Sequence, residues 1–199
     1  MTLTLGVLIS GRGSNLEAVL GAIKAGHVDA RVAVVVSNNP DAAGLAIARQ
    51  YGAEAVGIDP KAYLDRSDYE STVVETLRSH HVEWVVLAGY MKLVGKTLLD
   101  AFPDRMINIH PSLLPAFKGL DAQKQALDAG VKEAGCSVHI VTRKMDDGPI
   151  LGQVAVPVLT EDTVETLSQR ILVEEHRLLP RVIGEISAGG ALGGVGLKK

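Results

Sequence analysis

Met106–His110 carries polar residues whose types and spacing suit chemistry on a carbonyl. In an extended strand alternate side chains share a face, so Met106, Asn108 and His110 project together while Ile107 and Ile109 pack behind them. Same-face neighbours lie about 6.6 Å apart, which lets a carboxamide and an imidazole flank one reacting group. Acyl or formyl transfer to an amine needs a donor for the developing oxyanion and a group that moves the proton the amine loses. Asn108 suits the first task and His110 the second. A hydrogen-bonded Asn and His at a strand end is the competing structural reading. The deciding partner is an acid from Lys144-Met145-Asp146-Asp147-Gly148, where Asp146 or Asp147 can orient the imidazole and favour imidazolium. Two acids beside Gly148-Pro149 also fit a solvated turn. His139, on a strand that also presents Ser137, reads as structural when taken alone.

A second candidate is Ser10-Gly11-Arg12-Gly13-Ser14-Asn15, between a first strand and a first helix. Unpaired backbone amides and the helix dipole favour an anion there, and phosphate is the natural ligand. Glycine permits a tight turn, while Ser14 and Asn15 are expected both to donate to the anion and to cap the helix. Gly13, Ser14 and Asn15 are the candidate contacts. No third glycine completes a dinucleotide fingerprint and no Lys-Ser/Thr completes a P-loop, so hydride transfer and NTP hydrolysis lose ground. A plain glycine turn without a ligand is the alternative. Neither HExxH nor a cysteine cluster is present, and no metal is expected.

Short β-branched runs alternating with amphipathic stretches must position these residues, a pattern that predicts an α/β fold: one domain, a Rossmann-like mostly parallel sheet, and helices on both faces. Strands are expected at Thr4–Ser10, Arg31–Ser37, Ala53–Ile58, Trp84–Ala88, Met106–His110, Cys136–Thr142 and Ile150–Pro157, the last two forming a mixed edge. Helices are expected at Asn15–Lys24, Ala42–Tyr51, Tyr69–His81, Leu98–Phe102 and Ala122–Ala129. A long one begins near Asp162, with Asp162 and Glu165 as capping pair, and Pro180 should kink it or start a new segment. Pro111–Leu120 reads as a functional loop. Residues 1–188 form the expected catalytic domain and 189–199 a loose glycine-rich tail.

The 199 residues suit a single core, with 47% apolar and 22% charged residues. A net charge of −3 with no basic block disfavours a nucleic-acid partner. The single Cys136 excludes an intramolecular disulfide and fits a reducing compartment, so the cytoplasm is expected. No leader or long apolar run is read, and neither export nor membrane insertion is expected.

The stretches LISGRGSN, VVLAGYMKLV, INIHPSLLP, GCSVHIVTRKMDDGPI and EEHRLLP resemble those of the folate-dependent phosphoribosylglycinamide formyltransferase family, over nearly the whole chain to about Ile186. The resemblance implies 10-formyltetrahydrofolate as donor cosubstrate, the amine of 5-phosphoribosylglycinamide as acceptor, and a place in purine synthesis. It also implies Asn108, His110 and Asp146 as the catalytic set, since Met145-Asp146 matches the family's apolar residue and Asp. Gly13, Ser14 and Asn15 correspond to the phosphate site and Glu175 to a ribose contact. Met91, Lys92, Leu93 and Val94, with Asn108, align with the folate pocket, and Arg66 with a residue near the folate tail. Departures are Asp147 for Gly or Ala, Asp121 and Gln123 where histidines are common, and Leu172 where a polar or basic phosphate contact is common. A 10-formyltetrahydrofolate deformylase and a non-catalytic folate or nucleotide-binding protein are the rivals. The first usually has a regulatory domain ahead of the catalytic one; a tRNA formyltransferase is disfavoured by the lack of an RNA-binding domain and basic surface. The partners implied are small molecules, in a monomer or homodimer.

Overall fold

Runs rich in Val, Ile and Leu, too short to be helices, become the seven strands of one sheet in the computed structural model, which describes residues 2–189. They are β1 (Leu3–Ile9), β2 (Ala30–Ser37), β3 (Glu54–Gly57), β4 (Trp84–Leu87), β5 (Met106–His110), β6 (Glu133–Ile140) and β7 (Ile150–Pro157). The helices are α1 (Ser14–Lys24), α2 (Ala43–Gln50), α3 (Arg66–Ser79), α4 (Lys96–Ala101), α5 (Ala122–Asp128) and α6 (Val164–Ser187). The sheet order is β3-β2-β1-β4-β5-β6-β7, parallel from β3 to β5 and antiparallel from β5 through β7. This is the expected mostly parallel α/β sheet with a mixed edge.

The β1 residues Leu5, Val7 and Ile9 join the buried residues of α1, α2, α5 and α6 in one core. Leu8, Val85, Leu87 and Met106 join Tyr69, Val73 and Leu77 of α3 and Leu98 of α4 in the other. Burial on both faces explains why these strands read as continuous apolar runs. Alternation along β5 is as expected, with Met106 in one core and Ile107 and Ile109 in the opposite one. The strand order reverses beside β1, so the loops after β1, β4 and β5 gather near the same edge, where α/β sheets bind ligands.

Several boundaries differ from expectation. β6 starts at Glu133 and stops at Ile140, because pairing with β7 runs from Glu133↔Pro157 through Gly135↔Ala155, which local propensity discounts. α3 begins at Arg66, capped by Asp65, whose carboxylate accepts from the Asp68 N–H at 3.0 Å. Asp162 and Glu165 do not cap α6. Thr163 does, in a reciprocal pair with Thr166, while Asp162 accepts from the Leu159 N–H at 2.7 Å and pairs with Arg170. Nor does Pro180 begin a new segment. It is buried with Leu178, Leu179, Val182 and Ile183, and this packing sustains α6 across the lost backbone donor. Apart from Gly189, the glycine-rich tail expected at 189–199 lies outside the described residues.

Candidate active site

Asn108 and His139 stand directly opposite in the β5–β6 pair, as do His110 and Ser137. Cross-strand pairing therefore puts Asn108, His110 and His139 on one face of the sheet. Asn108 Nδ2 lies 3.2 Å from His139 Nε2. His139 Nδ1 lies 2.9 Å from the Ile140 carbonyl, which can only accept, so the neutral ring carries its proton on Nδ1 and accepts from Asn108 through Nε2. His110 Nε2 likewise lies 3.0 Å from the Phe117 carbonyl and donates to it.

The acid comes from the connection between β6 and β7. Asp146 Oδ2 is 3.5 Å from His110 Nδ1 and Oδ1 is 3.5 Å from His139 Nε2, so one carboxylate faces both imidazoles. Oδ2 also accepts from the Gly119 N–H at 2.9 Å. Burial opposes ionisation of Asp146, but the facing His139 imidazole, the Gly119 N–H and the His110 imidazole outweigh it, holding the carboxyl below its ordinary range. Asp147 turns away and pairs with Lys118 and, at 4.0 Å, with Lys144. The two acids that residue types alone leave as equals are thus separated, in the sense the resemblance implies: Asp146 joins the imidazoles, and Asp147 ties the 111–120 loop to the 141–149 connection. His139, read as structural from sequence alone, belongs to the cluster. The signal that could have found it is strand pairing, since β6 antiparallel to β5 places His139 beside Asn108.

Left-handed backbone gathers here in non-glycine residues: Phe117 has φ 54°, Asp121 φ 56° and Asp146 φ 49°. Such conformations cost on the order of 1–3 kcal/mol each and persist where surrounding contacts impose them, as they do at functional sites. Asp121 serves as the N-cap residue of α5 without a side-chain hydrogen bond, and Gln123 lies in its first turn.

At the end of β1, Gly13 has φ 80° and a Cβ there would lie 2.7 Å from Gly44 Cα, so glycine is required twice over. Gly13 is the N-cap of α1 and no side chain caps the helix, contrary to the capping expected of Ser14 and Asn15. Asn15 instead donates from Nδ2 to Glu175 Oε2 at 2.7 Å, across to α6. Burial pushes the Glu175 carboxyl up, partly offset by that hydrogen bond. The structure therefore brings Gly13, Ser14, Asn15 and Glu175 together.

Met91, Lys92 and Leu93 are exposed and Val94 is half-buried in the segment between β4 and α4. Its path is fixed from two sides. The Met91 N–H donates to Ser10 Oγ at 2.7 Å, and the Gly95 N–H donates to the buried Glu70 at 2.5 Å. Arg66 donates to Glu70 Oε1 at 3.0 Å and also to the Leu93 carbonyl, so it braces the segment it was expected to flank. Gly95 is needed for space: a Cβ would lie 2.6 Å from Glu70 Oε1. Met91 and Leu93 are 69% and 64% exposed, an apolar surface that suits a planar organic group. Among the described residues no group of His, Cys, Asp or Glu has metal-holding geometry, and no helix is long and apolar enough to cross a membrane.

A Rossmann-like sheet bearing an Asn–His–Asp cluster beside an open helix end has the layout suited to group transfer of the acyl type. The family described as formyl transferase matches residues 4–183. A phosphoribosylglycinamide formyltransferase of Bacillus subtilis is 45% identical over 90% of this chain and 92% of its own length. A trifunctional purine biosynthetic protein of Gallus gallus is 42% identical over 92% of this chain, which spans 18% of that longer protein. The crystal structure of glycinamide ribonucleotide transformylase 1 from Symbiobacterium toebii superposes with a TM-score of 0.93 at 53% identity, covering 94% of this chain and 89% of that one. The chain belongs to the phosphoribosylglycinamide formyltransferase family of formyl transferases.

Proposed function

We propose that this chain transfers the formyl group of 10-formyltetrahydrofolate to the amine of 5-phosphoribosylglycinamide, giving the N-formyl ribonucleotide and tetrahydrofolate in purine synthesis. The observation that carries the reading is the meeting of Asn108, His110 and Asp146, drawn from β5 and the β6–β7 connection, around one face of the sheet. The folate supplies an activated formyl carbon; the chain's residues orient the reactants and handle charge and protons. Asn108, with one N–H held by His139, keeps its second for the developing oxyanion. Asp146 faces His110 Nδ1 and orients the ring, and the Nε2–H, now on the Phe117 carbonyl, is the donor that the reacting oxygen takes over. The same pair relays the proton lost by the attacking amine to N10 of the departing folate as its bond to the formyl carbon breaks, without a covalent enzyme intermediate or a metal.

Gly13, Ser14 and Asn15 hold the acceptor's phosphate and Glu175 its ribose. Met91, Lys92, Leu93 and Val94 line the folate pocket with Asn108, and Arg66 lies toward the folate tail while bracing Leu93. Residues 1–188 act as one catalytic domain in the cytoplasm, with small-molecule partners.

The test is to follow tetrahydrofolate release from 10-formyltetrahydrofolate with and without phosphoribosylglycinamide. Acceptor-dependent turnover is expected, with His110→Ala lowering kcat about 10²–10⁴-fold at unchanged far-UV circular dichroism. Acceptor-independent turnover would instead mark a deformylase, and binding without turnover a passive protein.

A further inference from the structure

Within residues 10–15 one side chain is ionisable, that of Arg12. It is exposed, and among the described residues it makes no hydrogen bond and no ion pair. A Cβ placed at the preceding Gly11 would meet nothing within 4 Å, so the turn is open beside Arg12. Arg12 directly precedes the left-handed Gly13 that begins α1. The first helical backbone bond is the Glu17 N–H to the Gly13 carbonyl at 2.9 Å, which leaves the amides of Ser14, Asn15 and Leu16 at the helix end.

A second observation at that end points to a ligand. Asn15 is 8% exposed, yet its Oδ1 has no hydrogen-bond partner. Glu175, 7% exposed, receives one described hydrogen bond, from Asn15. Buried acceptors so poorly matched call for hydroxyl or amine donors from outside the chain. On α6, Leu172 lies one turn before Glu175 and offers no polar atom to an anion bound nearby.

We infer that Arg12 is the cation that binds the acceptor's phosphate, its guanidinium closing over an anion seated on the amides of residues 14–16. This deepens the ribonucleotide reading of the proposed function and rests on it. A guanidinium matches two phosphate oxygens at once and brings a full positive charge, which neutral backbone amides do not supply. The turn thereby supplies from a single sequence segment both the amides and the charge that Leu172 does not provide from α6.

Steady-state kinetics of wild type and Arg12→Ala, with phosphoribosylglycinamide and with the dephosphorylated glycinamide riboside, test the assignment. For the phosphorylated acceptor KM should rise about tenfold or more, as expected for a lost charge-assisted hydrogen bond. The kcat should stay within about twofold, the KM for the formyl donor should not move, and Arg12→Lys should recover part of the loss. With the riboside the variant and wild type should match. An unchanged KM, or an equal loss with both acceptors, overturns the inference. Ribose 5-phosphate binding, followed calorimetrically, supplies a readout independent of turnover. If wild type binds it in an Arg12-dependent manner but fails to formylate phosphoribosylglycinamide, the acceptor reading falls and the phosphate site stands. If Arg12→Ala binds ribose 5-phosphate as tightly as wild type does, the phosphate site falls.

Discussion

Asp146 and Glu175 are both largely buried carboxylates in the same molecule, yet their surroundings push them in opposite directions. Asp146 is met by the Gly119 amide and two imidazoles, and its carboxyl is held below the ordinary range despite burial. Glu175 meets one carboxamide, and burial pushes its carboxyl up. Burial alone therefore does not set the charge state; the number of donors the fold brings to each oxygen does. One region is electrostatically complete before substrate arrives, as a proton-handling group needs to be. The other is left short of donors, as suits the ribose contact proposed for Glu175.

The sharpest way to break this contrast is Asp146→Asn, which keeps an acceptor for Gly119 and removes the charge facing His110. Its kcat should fall about 10²–10⁴-fold with the fold intact. Because the folded-state carboxyl of Asp146 is depressed, its contribution is present above the unfolded pKa and lost as pH falls through the folded one. A stability titration should therefore show an acid-side loss in wild type that is smaller in the variant. A variant of near wild-type kcat would remove Asp146 from the mechanism.

Glu175→Gln probes the opposite case. A carboxyl raised in the folded state contributes stability below its unfolded pKa and loses it as pH rises through the folded value. The unliganded variant should thus melt above wild type at pH 7, with the gap closing below about pH 4, while KM for the acceptor rises about tenfold. Equal melting at pH 7 would show that the Glu175 carboxylate carries no desolvation cost.

The smallest effect is expected from Asp147→Gly. Its partner Lys118 is 32% exposed and Asp147 39%, so solvent screens the pair and it contributes little to stability. The kcat should stay within about twofold; a fall comparable to that of Asp146→Asn would move the acid role to the neighbouring residue.

Legibility from sequence followed the range of the interactions involved. The β1 turn and α1 declared themselves through local glycine spacing and a helical apolar stripe, and Leu16, Val19 and Leu20 are buried as that stripe requires. The helix cap expected of Asn15 is not made, because a cap is the local use of an Asn whereas its partner, Glu175, lies 160 residues away. His139 was undervalued for the same reason, since its meaning comes from the strand opposite.

The α/β class, the order of elements and the alternation that puts Asn108 and His110 on one face are legible along the chain, because these depend on periodicities of two and 3.6 residues; motif resemblance adds the choice of Asp146 over Asp147. That one Asp146 carboxylate faces two imidazoles, that His139 holds Asn108, and that Arg66 and Glu70 brace residues 93–95 emerges in the folded chain. Those contacts depend on strand register and on left-handed turns such as the one at Asp146, where long-range contacts override what neighbouring residues prefer.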